Sequence, residues 1–131
     1  MSSELFSEIY NKALDILSRR EHSVLELKQK LQKKFDTEYD IKETISRLKK
    51  NNLLNDYRFS ESYVVFRKRK GFGPIKISNE LKSKGVAEVI IFEVLDNEGG
   101  WDEAANRAFS KRFKDGPSTD TKILLKQKNF L

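Results

Sequence analysis

The sequence predicts an all-α protein in which three-helix units recur in tandem as an elongated array, with the last unit incomplete. Three observations carry that expectation. First, the stretch from Phe66 to Val86 writes one whole unit joint: a basic helix end (Arg67, Lys68, Arg69, Lys70), a turn at Gly71, and Gly73-Pro74 as N-cap and first helical residue. Ile77 and Leu81 come next at i, i+4, and Gly85 closes the helix. Second, the pattern repeats. Leu27 and Ile77, Leu31 and Leu81, and Lys34 and Lys84 each lie 50 positions apart, as do Ile16 and Phe66 and the pairs Arg19-Arg20 and Arg69-Lys70. An offset of 92 pairs Leu17 with Phe109 and Arg19-Arg20 with Lys111-Arg112. Third, 37% hydrophobic against 35% charged residues, with only two prolines, suits thin helical layers better than a deep sandwich. The units expected are residues 1–55, 56–98 and 99–131, the third stopping after its second helix with Leu131 in register with Leu31 and Leu81.

Leu5, Ile9, Ala13, Ile16 and Leu17 form one helical stripe that ends at Arg19-Arg20, where positive charge suits a helix C-terminus. Ser23 and Glu26 make a capping box for a second helix with Leu27 and Leu31 inward, Val24 beside them, and Lys28, Lys30, Lys33 and Lys34 in water. Asp40 and Glu43 read as another capping box, opening a third helix on Ile41, Ile45 and Leu48. Asn51 to Asp56 breaks it, with Asn55 or Asp56 capping the next helix. That fourth helix, about 56 to 70, carries Tyr57, Phe59, Tyr63 and Phe66; the fifth runs from Gly73 to Lys84. Residues 86 to 96 fit the helical period through Val86, Ile90, Ile91 and Val94, although Val89 to Phe92 alone would suit a strand. Gly99-Gly100 ends that unit. A seventh helix turns Trp101, Ala104, Ala105, Ala108 and Phe109 inward, residues 114–118 form a loop, and an eighth helix from about Thr119 carries Ile123, Leu124 and Phe130.

Composition excludes several classes of function. There is no cysteine, hence no disulfide and no thiolate metal site. No apolar run approaches the roughly 18 residues of a membrane span, and Met1 to Tyr10 lacks the features of a signal peptide, so a cytoplasmic protein is expected. The sole histidine, His22, is placed in a surface turn. Gly71 and Gly73 have no preceding strand to make a dinucleotide loop, and carboxylates such as Glu61 and Glu80 show no aromatic or metal-ligand companions. No catalytic residue, cofactor or metal is expected, and no enzymatic activity.

Binding is what remains. The net charge is +6. Residues 57–90 hold eight Lys/Arg against three Asp/Glu, while residues 1–56 hold eleven against ten. A concentrated excess points to an acidic or polyanionic partner, a solvated helix face being the plainer alternative for any one residue. The cationic string Arg67 to Lys70, with Arg58, Lys76, Lys82 and Lys84, is the leading binding feature. The aromatic set Tyr57, Phe59, Tyr63, Phe66 and Phe72 reads as core ahead of a base-stacking platform. Ser23 to Leu54 mimics a winged helix-turn-helix with Arg47, Lys49 and Lys50 on a recognition-like helix. A wing would need a hairpin after Leu54, where a helix begins instead, which weakens a sequence-reading role.

Taken together, Ala13-x-x-x-Leu17-x-Arg19-Arg20-x-x-Ser23-x-x-Glu26-Leu27-x-x-x-Leu31, Leu53-Leu54-Asn55-Asp56-x-x-Phe59 and Arg67-x-x-x-Gly71-x-Gly73-x-x-x-Ile77-x-x-Glu80-Leu81-x-x-Lys84-Gly85-Val86 closely resemble the RecX family of bacterial recombinase regulators. The resemblance spans essentially the whole chain. Ser60 departs from the family's usual alanine, and the sequence ends at Leu131 where relatives usually continue into another helix. The resemblance implies a curved array of three-helix repeats lying in the groove of the RecA–DNA filament, which blocks filament growth or promotes loss of RecA subunits. It implies a cytoplasmic, non-enzymatic monomer without cofactor or membrane contact, and single- and double-stranded DNA as further partners. Contact candidates are Arg67, Lys68, Arg69, Lys70, Lys82 and Lys84 in the second unit, Arg19, Arg20, Lys33 and Lys34 in the first, and Lys111 and Arg112 in the third. Alanine at Arg67 to Lys70 together is expected to weaken filament inhibition without unfolding the domain. The rival classes are a sequence-independent DNA-binding module and a simple scaffolding array.

Overall fold

The structure, a computed structural model, describes residues 3–112. Among them are seven helices and no strand: α1 (Ser3–Arg19), α2 (Val24–Lys34), α3 (Glu38–Lys50), α4 (Asp56–Arg69), α5 (Pro74–Ser83), α6 (Glu88–Glu98) and α7 (Glu103–Arg112). The loop at 114–118 and the eighth helix expected from Thr119 lie outside the described residues. Residues 88–98 are helical, which settles the strand alternative, and α4 begins where a wing would have to start.

The chain divides into two compact units, Met1–Phe59 and Ser60–Leu131, with the division falling inside α4. In the first, α1, α2 and α3 pack on one another around Ile9, Ala13, Ile16, Leu27, Leu31, Ile41, Ile45, Leu48 and Leu54. All but Leu54, which follows α3, lie on the stripes expected from sequence, and truncating a fully buried member such as Leu31 to alanine costs about 2–5 kcal/mol. In the second, α5 packs against both α6 and α7. Its buried hydrophobic residues include Val64, Ile77, Leu81, Val86, Ile91, Val94, Leu95 and Phe109, with the Phe92 and Phe109 rings stacked 5.8 Å apart. Ala104 and Ala108, expected inward, are exposed; Phe109 buries that face of α7 instead.

Three helix ends use one device. After α5, Gly85 at φ +81° donates to the Lys82 carbonyl while Val86 donates to that of Leu81, the paired bonds of a Schellman motif. Gly71 at φ +93° repeats it after α4, with Phe72 donating to the Arg67 carbonyl. After α3 the left-handed position is taken by Asn52, at φ +58°, with Leu53 donating to Leu48.

The N-termini are more varied. Ser23 and Glu26 form the expected capping box. Asn55 caps α4 by accepting from the Arg58 N–H at 3.0 Å. Asp56 reaches back instead: its carboxylate accepts from the Val24 N–H at 2.8 Å, satisfying a first-turn donor of α2. Burial raises the Asp56 carboxyl above the usual carboxylate range, an effect that the Val24 bond opposes. At the equivalent place in α5 stands Pro74, which has no N–H to satisfy. The capping box expected at Asp40 and Glu43 is not formed. Thr37 occupies the N-cap of α3 without a side-chain bond, the helix starts at Glu38, and Asp40 is buried within it. Ile41 already donates to the Thr37 carbonyl, so the helix has begun before Asp40 could cap it.

Candidate functional site

The structure sorts the basic residues by what each side chain is already bound to. Arg67 lies on α4 and faces Glu80 of α5: its Nε and a terminal nitrogen donate to the two carboxylate oxygens at 2.9 and 2.8 Å. The Tyr63 hydroxyl donates to the same carboxylate at 3.0 Å, and the Arg67 guanidinium lies 3.9 Å from the centre of the Phe72 ring. Arg67 holds the Glu80 carboxyl below the usual range, with Tyr63 adding to that effect. Glu80 therefore has an aromatic partner and a structural job, contrary to the expectation that it stands alone.

Lys68 is engaged as well. Its ammonium donates to Glu98 at 3.0 Å and to the Gly99 carbonyl at 2.7 Å, capping the end of α6, and lies 4.9 Å from the Trp101 ring centre. Gly100, at φ +69°, leaves room for it: a Cβ there would stand 2.8 Å from the ammonium nitrogen. Two of the four residues of the basic string are thus internal ties. The four-alanine substitution would loosen both joints, so its expected neutrality toward folding does not hold.

The other half of the string is free to act outward. Arg69 is exposed, and Lys70 is exposed with its ammonium 5.1 Å from the ring centre of Phe66. Phe66, expected in the core, is 54% exposed, whereas Phe59 is buried and Tyr57, Tyr63 and Phe72 are half-buried. The reason is rotational: Val64 and Phe59 occupy the inward side of α4, which leaves Phe66 outward beside the basic end. Lys82 is exposed, Lys84 lies 5.4 Å from the Tyr63 ring centre, and Lys111 and Arg112 end α7 exposed. Arg58, on α4, pairs with Glu21 within the first unit.

In the first unit the near-balance of charge along the sequence hides a separation in space. One open cavity of about 490 Å³ between α1 and α2 is lined by Lys12, Asp15, Ile16, Arg19, Arg20, His22, Lys30, Lys33 and Lys34. Six cationic side chains share it with a single carboxylate. Asp15 takes Arg19 at 3.3 Å and Lys12 at 3.7 Å, and Arg20 pairs with Glu26 at 3.2 Å. Lys33 and Lys34 are exposed and form no ion pair among the described residues.

His22 is the feature of this cavity that sequence reasoning misplaced. It is 1% exposed, not a surface turn residue. Its Nδ1 lies 3.0 Å from the Arg20 carbonyl and its Nε2 lies 2.7 Å from the Lys30 ammonium. A carbonyl only accepts and an ammonium only donates, so the ring is neutral, protonated on Nδ1 and accepting at Nε2. Burial lowers the His22 pKa from 6.5, assisted by the positive charges of Arg20 and Lys30 and opposed by the carbonyl bond. Removal from water also lowers that of Lys30, with Arg20 adding repulsion. Lys12 and Lys30 were missed as site residues. The signal was the i, i+3, i+7 run Lys12, Asp15, Arg19 beside the apolar stripe, facing the i, i+4 pair Lys30 and Lys34.

Among the described residues no group of three or more His, Cys, Asp or Glu side chains could hold a metal ion, and no helix is long and apolar enough to cross a membrane. Two family models match the chain in tandem, one described as RecX, first three-helix domain, over residues 10–48, and one as RecX, second three-helix domain, over residues 55–95. The chain belongs to the RecX family. It is 35% identical over 126 residues to the Regulatory protein RecX of Legionella pneumophila (strain Corby), covering 95% of this chain and 84% of the relative. It is 44% identical over 115 residues to that of Haemophilus influenzae (strain PittEE), covering 86% and 73%. RecX crystal structures share the fold. One matches with a TM-score of 0.68 at 20% identity over 86% of this chain, which spans 59% of that protein. RecX from Lactobacillus salivarius matches with a TM-score of 0.61 at 22% identity over 97% of both chains. The curated relatives are named regulatory proteins.

Proposed function

We propose that this RecX-family protein binds the groove of the RecA–DNA filament and modulates RecA, mainly by inhibition, lowering its recombinase, ATPase and coprotease activities in DNA repair and the SOS response. The observation that carries the reading is the tandem match of two RecX three-helix domains along one chain. Cationic surfaces in both units support it, because a nucleoprotein filament offers phosphates and acidic side chains to Arg and Lys. The contacts proposed are Arg69, Lys70, Lys82 and Lys84 in the second unit and Arg19, Arg20, Lys33 and Lys34 in the first. Lys111 and Arg112 extend the set onto a third repeat, residues 99–131, whose α7 already packs on α5. Arg67 and Lys68 act by holding the second unit in shape. The protein works as a cytoplasmic monomer without catalysis of its own.

The test is a titration on bare single-stranded DNA and on RecA-coated DNA at two salt concentrations. The filament regulator prefers coated DNA and lowers RecA's DNA-dependent ATPase. Equal affinity for the two substrates, with unchanged ATPase, would instead identify a sequence-independent DNA-binding module.

A further inference from the structure

The cavity between α1 and α2 gathers Lys12, Arg19, Arg20, Lys30, Lys33 and Lys34 against the carboxylate of Asp15. Like charges held this close repel, and the charge that neighbouring carboxylates leave unpaired is relieved by solvent, salt or an anionic ligand. The pairing within the unit is uneven. Carboxylates already neutralise the α1 side of the cavity and Arg20, through Asp15 and Glu26. On α2 the one nearby carboxylate, Glu26, is taken by Arg20, Lys33 and Lys34 have no ion-pair partner among the described residues, and the Lys30 ammonium lies 2.7 Å from the uncharged ring of His22. A buried neutral imidazole in that position fixes where the ammonium points and leaves its charge intact. A glutamate there would have cancelled it.

We propose that this cavity is a recognition site for adjoining phosphate groups, either those of a free polyphosphate or those of a nucleotide chain. Several compact ammonium groups and two guanidinium forks converging on one concavity match clustered, multiply charged phosphate oxygens better than isolated carboxylates. The volume of about 490 Å³ is that of a small-ligand site. His22 is a positioning residue: buried, anchored by the Arg20 carbonyl, it presents Lys30 to the ligand. The proposal deepens the filament reading at four of its contact residues, Arg19, Arg20, Lys33 and Lys34, and its failure is told apart from the failure of that reading because binding is measured with no RecA present.

The experiment titrates the full chain with inorganic tripolyphosphate by calorimetry at fixed salt. The expected result is saturable binding of one tripolyphosphate per chain, weakened at least about tenfold by Lys33→Ala with Lys34→Ala, and also by Lys30→Ala. Lys42→Ala with Lys50→Ala, which removes the same charge from exposed positions of α3, leaves binding unchanged. Thermal melts of each variant verify that it is folded. An oligothymidylate arm separates the two sources: displacement of tripolyphosphate by the oligonucleotide assigns the site to a nucleotide chain, and simultaneous binding assigns it to a free polyphosphate. Absence of saturable binding overturns the proposal. So does an equal loss in the α3 variant, or equally tight binding of polyglutamate, which would show a general response to negative charge.

Discussion

Lys68 and Arg69 are neighbours in sequence with the same charge, and the structure gives them opposite work. Replacing Lys68 by alanine removes two charge-assisted hydrogen bonds, to Glu98 at 3.0 Å and to the Gly99 carbonyl at 2.7 Å, at the end of α6. Such bonds contribute about 1.5–3 kcal/mol each when buried. The Lys68 and Glu98 side chains are both 28% exposed, so water takes over part of the role. The net cost expected is about 1.5 kcal/mol, a fall of about 6 °C in the melting midpoint of a chain this size. Arg69→Ala removes an exposed side chain and stays within about 0.5 kcal/mol of wild type. Melts followed by far-ultraviolet circular dichroism measure both, and inhibition of RecA's ATPase separates stability from binding. Arg69→Ala weakens inhibition at unchanged stability; Lys68→Ala melts early and inhibits normally at temperatures where it is folded. A Lys68→Ala protein that melts with wild type, or an Arg69→Ala protein that melts lower, refutes this division of labour.

Three further outcomes are expected. Ser60 is fully buried on α4 with no hydrogen-bond partner for its hydroxyl among the described residues, so Ser60→Ala raises stability by about 1 kcal/mol in urea unfolding. Exposed Ser62→Ala on the same helix reports the helix-propensity part alone, and a smaller gain at Ser60 than at Ser62 would count against the orphaned hydroxyl. His22 titrates lower when folded than when unfolded, so below pH of about 6.5 the unfolded chain takes up the extra proton. Stability is then flat above neutrality and falls as pH drops through that window, by at most about 1.4 kcal/mol per unit, and His22→Gln loses this slope. Asn52 holds a left-handed conformation at the end of α3, where Asn52→Ala costs about 1 kcal/mol and Asn52→Gly much less; equal midpoints for the two in urea would contradict that account.

The charge distribution along the chain and the charge distribution in space lead to different surfaces. By composition the excess lies in residues 57–90, and the first 56 residues are close to neutral. In three dimensions, part of the excess is consumed by Glu80 and Glu98, while the near-neutral segment assembles a cavity lined by six cations and one carboxylate.

Helix positions, the capping box at Ser23 and the glycine turns were legible because they depend on residues a few positions apart. Ile9, Ala13 and Ile16, or Ile77 and Leu81, mark their buried faces by spacing alone, and the 50-residue offset exposes the repetition. The same local rules misled at Asp40, where the helix had already started, and at Phe66, where the outward turn depends on which neighbours fill the inward side of α4. What only tertiary structure decided is which polar groups find each other. Arg67 meets Glu80 across 13 positions, Lys68 meets Glu98 across 30, and the Val24 N–H meets Asp56 across 32. A cation's availability depends on the distance through space to the nearest carboxylate, and that distance is set only once the helices have packed.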